Sequence, residues 1–159
     1  MPKQQKTILS NIDILQICNY LKIPIVDVFS KDELPSQKIK GLFVVNLDNS
    51  TGSGTHWVCM STIPKNVFYF DSFGAPPSIS IDKYIKKVTN KKRYFINKIQ
   101  VQNLTGTWCG WVCIAVMWLM MYLKGSVAQR FDTICDWLNS DPLDLNYNKL
   151  VDFFKKILP

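Results

Sequence analysis

The sequence predicts an α+β fold, in which helices flank a central and mostly antiparallel sheet. Helical and strand-like patterns are mixed along the chain, without the regular strand–helix alternation of a parallel α/β protein. Two strand patterns, over residues 57–62 and 67–71, are joined by so short a connection that we expect an antiparallel hairpin. Residues 111–123 form an apolar run that is too short to cross a bilayer and that suits a buried helix. We therefore expect a buried central helix.

The remaining elements follow from periodicity and from turn residues. Ser10 is a suitable N-cap for a helix whose apolar residues recur at helical spacing up to Leu21, and Pro24 follows it. No repeat or long linker interrupts the chain, so we expect a single domain over residues 1–159. The further predicted elements are a strand over 42–45, a helix over 80–88 capped by Ser80, a strand over 94–101, an apolar helix that runs to Lys124, and helices over about 127–139 and 146–158.

Composition and charge exclude several classes of protein. Apolar residues make up 47% and charged residues 19% of the chain, which excludes a disordered tail. The formal charge of +7 permits attraction to nucleic acid or to acidic partners. Residues 1–6 lack the apolar stretch of a secretory signal peptide. We expect a soluble monomer that has no membrane partner.

The cysteines do not form the pattern of a disulfide framework or of a zinc site. Their number is odd, none belongs to a CxxC pair, and the chain has a single histidine. We therefore expect reduced thiols in a cytosol-like compartment and no metal cofactor. The five cysteines are Cys18, Cys59, Cys109, Cys113 and Cys135.

The one histidine, His56, is the only residue through which imidazole chemistry can pass. In a hairpin that turns at residues 63–65, the numbers of paired residues add up to about 127 or 128, which places His56 opposite Asp71 or Ser72. Asp71 can then accept a hydrogen bond from one ring nitrogen and leave the other free as a base. Taken alone, each residue also fits a structural role, His56 at a strand edge and Asp71 in a turn.

Cys109 directly precedes Gly110 at the predicted start of the apolar helix. A thiol at a helix N-terminus experiences the positive end of the helix dipole and faces free backbone N–H groups, which favours the reactive thiolate. Gly110 leaves the backbone open to the close approach of a substrate. The alternative, a buried structural thiol, fits the other four cysteines well. It fits Cys109 poorly, because the polar loop 105–107 precedes it.

A thiol, an imidazole and a carboxylate together indicate a cysteine hydrolase, which also requires an oxyanion hole. The backbone N–H of Cys109 can supply one donor. Gln102, seven residues upstream at the end of a predicted strand, can supply a side-chain amide, and Gln100 is its rival. The alternative for both glutamines is a solvent-facing position on the strand.

Three segments of the chain resemble the adenovirus maturation protease (adenain) family. They are Gly-Thr-His-Trp at 54–57, Phe-Tyr-Phe-Asp-Ser-Phe-Gly at 68–74, and Gln102 followed by Cys-Gly-Trp at 109–111. The chain looks closest to the compact proteases of virophages and related large DNA viruses, and the resemblance covers about residues 8–125. The wider superfamily includes the proteases that cleave SUMO precursors, in which the step from glutamine to cysteine is usually shorter than the seven residues here.

The resemblance implies a role for each matching residue. Cys109 is then the nucleophile, at the N-terminus of the buried central helix, and His56 is its general base. Asp71, which replaces the glutamate of the adenoviral enzyme, orients His56. Gln102 stabilises the oxyanion.

The same resemblance implies a viral cysteine endopeptidase that cleaves capsid or core precursors during maturation, in the virion and in the host-cell cytoplasm. Cleavage is expected after small residues, at Gly-Gly or Gly-Ala sites, in a narrow channel with Trp57, Gly110 and Trp111 as substrate-binding residues. One alternative is a protease that acts on host SUMO or ubiquitin-like modifiers. Another, of a different class, is a basic nucleic-acid-binding protein of the virion.

Basic residues are concentrated between positions 83 and 98, which hold seven of the nineteen in the chain. The adenoviral enzyme is activated by DNA and by a disulfide-linked viral peptide. The resemblance therefore implies viral DNA as an activator, whereas no residue here matches the cysteine partner of the peptide. We expect the chemistry itself to need no cofactor. The alternative to a DNA contact is that these basic residues form a solvated face of the protein. The expected DNA contacts are Lys86, Lys87, Lys91, Lys92 and Arg93.

Overall fold

A computed structural model describes residues 7–159 of the chain. The fold is α+β, with helices on both faces of a five-stranded sheet, and the predicted class is confirmed. The expected absence of a signal peptide concerns residues 1–6, which lie outside the described residues. The strands are β1 Ile25–Ser30, β2 Leu42–Asn46, β3 Trp57–Ile63, β4 Asn66–Phe70 and β5 Phe95–Ile96, and the helices are α1 Asn11–Tyr20, α2 Ile79–Thr89, α3 Cys109–Tyr122, α4 Val127–Trp137 and α5 Asp144–Ile157.

The strands lie in the order β1-β2-β3-β4-β5, and the sheet is mixed. β2, β3 and β4 are antiparallel neighbours, in agreement with the predicted hairpin of β3 and β4. The outer pairs, β1 with β2 and β4 with β5, are parallel. A parallel pair needs a long crossover, and the connection from β4 to β5 contains α2. The predicted antiparallel arrangement therefore describes the centre of the sheet and not its edges.

Both faces of the sheet are buried, because successive side chains of a strand lie on opposite faces. Val44 and Phe68 belong to the core that contains α3. Phe43 and Tyr69 belong to a second core, on the side of α2. α3 is apolar around its whole circumference, which suits a helix whose residues 109–117 are all buried. No helix within residues 7–159 has both the length and the apolar character that crossing a membrane requires.

Serine side chains cap the first two helices. Ser10 caps α1 as predicted, and Asp13 completes a reciprocal capping box with it. The N-cap of α2 lies two residues earlier than predicted, because Ser78 and not Ser80 accepts the hydrogen bond from the backbone N–H of Ile81. The predicted start of α2 is therefore wrong.

Two strands differ from the sequence prediction. β5 covers Phe95–Ile96 instead of 94–101, because the chain beyond Ile96 bonds to the loop that follows β4. No strand is predicted over Ile25–Ser30, where β1 lies. The residues of β1 are mostly β-branched or aromatic, but Asp27 breaks the apolar pattern and the pairing with β2 shifts register beside it.

Candidate active site

The residues predicted to carry the chemistry lie near one end of the sheet. His56 immediately precedes β3, and Asp71 immediately follows β4. Cys109 is the first residue of α3, and its sulfur accepts a hydrogen bond from the backbone N–H of Trp57 at 3.5 Å. Gln102 lies in the segment between β5 and α3. The fold thus brings a thiol, an imidazole and a carboxylate together from distant parts of the chain.

His56 and Asp71 form a buried hydrogen-bonded pair, with 2.6 Å between Nε2 and Oδ1. Their side chains are 5% and 1% exposed, respectively. The predicted contact is present, but the predicted register is wrong. The ladder pairs Cys59 with Phe70 and then stops, and its continuation would place Phe73 opposite His56. Asp71 therefore contacts His56 diagonally, from just beyond the last ladder pair.

The ring of His56 is fixed on one face and at one nitrogen. The ring of Phe73 stacks on it with 4.0 Å between centroids and 10° between planes. Nε2 is occupied by Asp71, and Nδ1 has no hydrogen-bond partner. Nδ1 is therefore the nitrogen that remains available to Cys109.

The pKa of His56 is raised from 6.5 to about 9. Burial is the largest single cause and lowers the pKa, because the charged ring loses its water. The hydrogen bond to Asp71, the neighbouring Cys109 and the negative charge of Asp71 raise the pKa and together outweigh burial. The imidazolium form is therefore the stable one at neutral pH.

Cys109 differs from the other cysteines, although all five are free thiols. Burial raises the pKa of Cys18 to about 12 and the pKa of Cys135 to about 11, and it also raises the pKa of Cys113. These three thiols stay protonated at neutral pH. Cys109 lines a cleft and begins a helix whose N-cap residue, Trp108, makes no capping hydrogen bond through its side chain.

The structure separates the two candidate glutamines. Gln102 is fully buried, its Nε2 donates to the carbonyl of Gly106 at 3.4 Å, and its Oε1 has no partner. Gln100 is exposed, and its Nε2 donates to the backbone carbonyl of Gln102 at 2.9 Å. Neither lies on a strand, which corrects the prediction that a strand ends near Val101. Gln102 is the glutamine whose amide lies against the loop that leads to Cys109.

A cleft of about 530 Å³ opens at this site. Cys109, His56 and Trp57 line it, together with short side chains of the loops 52–55 and 106–107. The indole Nε1 of Trp57 donates to the carbonyl of Leu9 at 2.9 Å, which holds the ring in place. Trp57 therefore forms a fixed wall of the cleft, and its role in substrate binding stays a prediction.

Two other predicted substrate-binding residues do not line the cleft. Trp111 is 1% exposed and packs edge-on against Phe154 of α5, with 4.8 Å between ring centroids. Gly110 is buried, and a Cβ at this position would lie 3.2 Å from Cβ of Leu9 and 3.4 Å from the Trp57 ring. The small size of Gly110 thus serves the packing of α3, and the structure places neither Gly110 nor Trp111 in the wall of the cleft where substrate binding is expected.

The basic residues of α2 and of the loop after it lie away from the apolar face of the helix. Lys86 forms an ion pair with Asp82 at 2.7 Å, and Lys87 donates to the carbonyl of Ser36 at 2.8 Å. All of the expected DNA contacts are exposed, namely Lys86, Lys87, Lys91, Lys92 and Arg93.

Within residues 7–159, no three His, Cys, Asp or Glu side chains are grouped so that they could hold a metal ion. No protein-family model matches the chain, and no curated protein matches it significantly. The interpretation of the site therefore rests on its geometry and on the motifs described above.

Sequence reasoning misses two residues that hold this site. Phe73 stacks on His56, and Asn97 hydrogen-bonds to both backbone groups of Asp71. Phe73 lies within the matched segment 68–74, but no periodicity assigns its ring to His56. Asn97 is 26 residues from Asp71, and no sequence signal connects the two.

Proposed function

We propose that the chain is an adenain-like cysteine endopeptidase, which cleaves capsid or core precursor proteins during virion maturation. The observation that carries the proposal is the buried His56–Asp71 pair beside Cys109, at a helix N-terminus that opens on a cleft. A nucleophile, a base and a group that orients the base are the parts that covalent hydrolysis requires. A purely structural histidine would not need an unbonded ring nitrogen beside a thiol.

Acylation begins from the thiolate–imidazolium pair, in which Nδ1 of His56 holds the proton taken from Cys109. The sulfur attacks the scissile carbonyl carbon, so that a C–S bond forms and the carbonyl oxygen becomes an oxyanion. When this intermediate collapses, the C–N bond breaks and His56 gives its proton to the leaving amine. The products are an amine fragment and a thioester on Cys109.

Deacylation uses the same residues, but His56 now acts as a base instead of an acid. Neutral His56 takes a proton from water while the water oxygen attacks the thioester carbon. The C–S bond then breaks, the acid fragment leaves, and Cys109 is again a thiolate beside the imidazolium. Asp71 keeps Nε2 of His56 hydrogen-bonded throughout, which preserves the orientation of the ring.

Two donors are available for the oxyanion. The N–H of Cys109 belongs to the first turn of α3 and has no acceptor within the helix. The amide of Gln102 is buried, and its present acceptor on Gly106 lies at 3.4 Å, which makes that bond a weak one. A small movement of the loop can therefore exchange this weak bond for a stronger one to the oxyanion, which supports Gln102 as the second donor.

The proposed preference for small residues beside the scissile bond rests on Trp57 and on the resemblance. Trp57 is a rigid aromatic wall next to Cys109, because both its backbone and its indole are hydrogen-bonded. A side chain of the substrate at that point would meet the indole, whereas glycine or alanine would not. The resemblance supplies the Gly-Gly or Gly-Ala sequence and the viral precursors. Host ubiquitin-like modifiers are the competing substrates.

Co-expression with candidate capsid precursors tests the proposal. We expect the wild type to create new N-termini after small residues, as mapped by mass spectrometry, and Cys109→Ala to create none. Cys135→Ala is the matched control, because it removes a thiol on α4 and leaves processing intact. Cleavage by Cys109→Ala would contradict the assigned nucleophile. Cleavage of SUMO or ubiquitin C-terminal fluorogenic substrates, but of no viral precursor, would replace the maturation role with host-modifier cleavage.

We also propose that residues 91–93 contact the phosphate backbone of viral DNA and keep the protease near its substrates. Lys86 and Lys87 already bond to protein groups, so the loop after α2 is the stronger candidate. Binding of this kind weakens steeply with salt, and each lost contact reduces the slope of log K against log salt by about 0.9. Alanine at Lys91, Lys92 and Arg93 should therefore flatten the slope, in fluorescence anisotropy with duplex DNA.

The control for the DNA experiment is the double variant Lys155→Ala and Lys156→Ala, which removes two charges from α5. We expect this variant to keep the salt dependence of the wild type. A loss in both variants in proportion to the three and the two charges removed would mean that only net charge matters, and the basic segment would then be a solvated face.

A further inference from the structure

One buried side chain holds the backbone of Asp71. Oδ1 of Asn97 accepts a hydrogen bond from the N–H of Asp71 at 2.8 Å, and Nδ2 donates to the carbonyl of Asp71 at 2.6 Å. Nδ2 also donates to the carbonyl of Ile99 at 3.1 Å, and Asn97 is 2% exposed. The side-chain amide of Asn97 thus bonds to both the backbone N–H and the backbone carbonyl of Asp71.

This contact replaces a missing part of the sheet. The β3–β4 ladder ends at Phe70, and the β4–β5 ladder ends at Tyr69 and Ile96. Among the ladder pairs of residues 7–159, none therefore includes Asp71. In the parallel register, Asn97 follows directly after Ile96, so its amide takes the place that the backbone of a longer β5 would have taken.

The orientation of Asp71 matters because its carboxylate makes two short hydrogen bonds. Oδ1 accepts from the N–H of Phe73 at 2.8 Å and from Nε2 of His56 at 2.6 Å. A change in the backbone angles of Asp71 would move Oδ1 away from both donors at once. The same fixed backbone also determines the position of Phe73, which stacks on His56.

The segment that begins at Asn97 also carries Gln102. The carbonyl of Ser72 accepts hydrogen bonds from the N–H groups of Val101 at 2.7 Å and of Gln102 at 3.2 Å. Gly74 lies so close to this segment that a Cβ would be 2.7 Å from the carbonyl oxygen of Ile99. Backbone hydrogen bonds therefore connect the segment after Asp71, which orients His56, to the segment that carries Gln102, the proposed oxyanion donor.

We infer that Asn97 is a positioning residue of this site, which fixes the backbone of Asp71 so that its carboxylate orients His56. The inference rests on the proposed function for its catalytic meaning, and the geometry itself does not depend on turnover. Removing Asn97 lets the carboxylate turn away, so that His56 loses the partner that favours its charged form.

A histidine titration tests the inference without any catalysis. The charged or titratable groups that act on His56 are Asp71 and Cys109. The titration is therefore carried out in the Cys109→Ala variant, in which Asp71 is the remaining charged partner of His56. The pKa of the single imidazole is measured by NMR. We expect Asn97→Ala to lower the pKa of His56 by on the order of 0.5 unit, a part of the ~1 unit or more that loss of the Asp71 charge removes.

Asn146 provides the matched control. It is fully buried on α5 and donates to the carbonyl of Val101 at 2.8 Å, so it holds the same segment without touching Asp71. We expect Asn146→Ala to reduce stability as Asn97→Ala does and to leave the pKa of His56 unchanged. Equal shifts in both variants, or no shift in a folded Asn97→Ala protein, would overturn the inference.

Asn97→Ser covers the case in which the alanine variant does not fold. The shorter hydroxyl keeps a polar group in the buried position but cannot hold both backbone groups of Asp71, so we expect the same lowering of the pKa of His56. In the active background, either variant should lower kcat with KM nearly constant. If the wild type had no protease activity, the proposed function would be wrong. The titration would still test whether Asn97 positions Asp71 against His56.

Discussion

The two ends of the β3–β4 hairpin are built in different ways. At the closed end the ladder continues to its last pair, Ile63 with Asn66, so backbone pairing joins the two strands up to the turn. At the open end, where His56 and Asp71 lie, the ladder stops at Phe70, and hydrogen bonds made by side chains replace the backbone pairing. A ladder tolerates many residues, because every residue carries the same backbone groups. The open end requires particular residues, and its chemistry depends on them.

Cys109→Ala should give the largest effect at the open end, namely loss of turnover with a fold that is nearly intact. The thiol is small and begins α3, so its removal leaves no large cavity. Residual activity against a fluorogenic peptide and the melting temperature are the measurements. Cys113→Ala, four residues further along the same helix, should instead lower stability and retain active sites. Iodoacetamide should label Cys109 first, and faster labelling of another thiol would argue against the assigned nucleophile.

Asp71→Asn should lower kcat/KM by roughly 10²- to 10⁴-fold, the usual range for acid–base assistance. The wild type should lose activity as pH rises through about 9, because the His56 imidazolium then loses its proton. In the variant this alkaline limb should move to lower pH, since the opposite charge is gone. The pH profile of kcat/KM is the measurement. A limb that does not move would mean that His56 is not the titrating group.

The same pair should make stability depend on pH. The pKa of His56 is raised on folding, so its contribution to the free energy of unfolding is fully present below about 6.5 and is lost as pH rises through about 9. Urea unfolding of the wild type should therefore show stability falling across that interval. Asp71→Asn should flatten this dependence, and a wild-type curve that rises there would contradict the assignment.

Gln102→Ala should lower kcat by about 10²- to 10³-fold, with the KM of a peptide substrate little changed. Gln100→Ala is the matched control and should be nearly silent in kcat, because its side chain is exposed and bonds only to the backbone carbonyl of Gln102. Steady-state kinetics distinguish the two. The reverse pattern would reassign the oxyanion donor to Gln100.

The smallest effects should come from two turn residues with positive φ, one at each end of the hairpin. Lys65, at the closed end, has a φ of 63°, and Lys65→Gly relieves that backbone and should change the free energy of unfolding by less than about 1 kcal/mol. Gly74, at the open end, has a φ of 72°, and a Cβ there would lie 2.7 Å from the Ile99 carbonyl oxygen.

Gly74→Ala should therefore cost more than Lys65→Gly and should also lower activity. Left-handed backbone at an alanine costs roughly 1–2 kcal/mol, and the contact with Ile99 adds to it. Melting temperature and kcat/KM, measured on both variants, provide the comparison. Equal effects on activity would mean that the two ends of the hairpin are equally important to the site.

The sequence is most informative where local physics decides the structure. Ser10 caps α1, the hairpin of residues 57–71 forms, and the apolar run after Cys109 is a largely buried helix, because capping, turn length and hydropathy act over a few residues. The meeting of His56 with Asp71 is also predictable, since a hairpin places its two ends side by side. The register error does not matter, because a diagonal contact is within reach of both side chains.

The sequence is least informative where side chains from distant segments replace the ladder. Nothing local shows that Asn97 bonds to Asp71 or that the strand ends at Ile96. Trp111 and Trp57 are both tryptophans close in sequence to a predicted catalytic residue. Trp111 nevertheless faces the core, because of its position on the helix. Such facts depend on how elements pack, and periodicity within one element does not contain them.

The burial of most of α3 makes the helix and the reacting groups at its N-terminal end open at different rates. Amide hydrogens in a well-buried helix exchange with solvent mainly when the whole domain opens, whereas loops and helix ends open locally and often. Cys109 lies in the first turn of α3, whose N–H groups have no acceptor within the helix, and His56 and Asp71 belong to segments outside the sheet ladder. On gentle warming the imidazole would therefore separate from the sulfur before the helix melts. Heat inactivation would then set in below the melting temperature and would reverse on cooling.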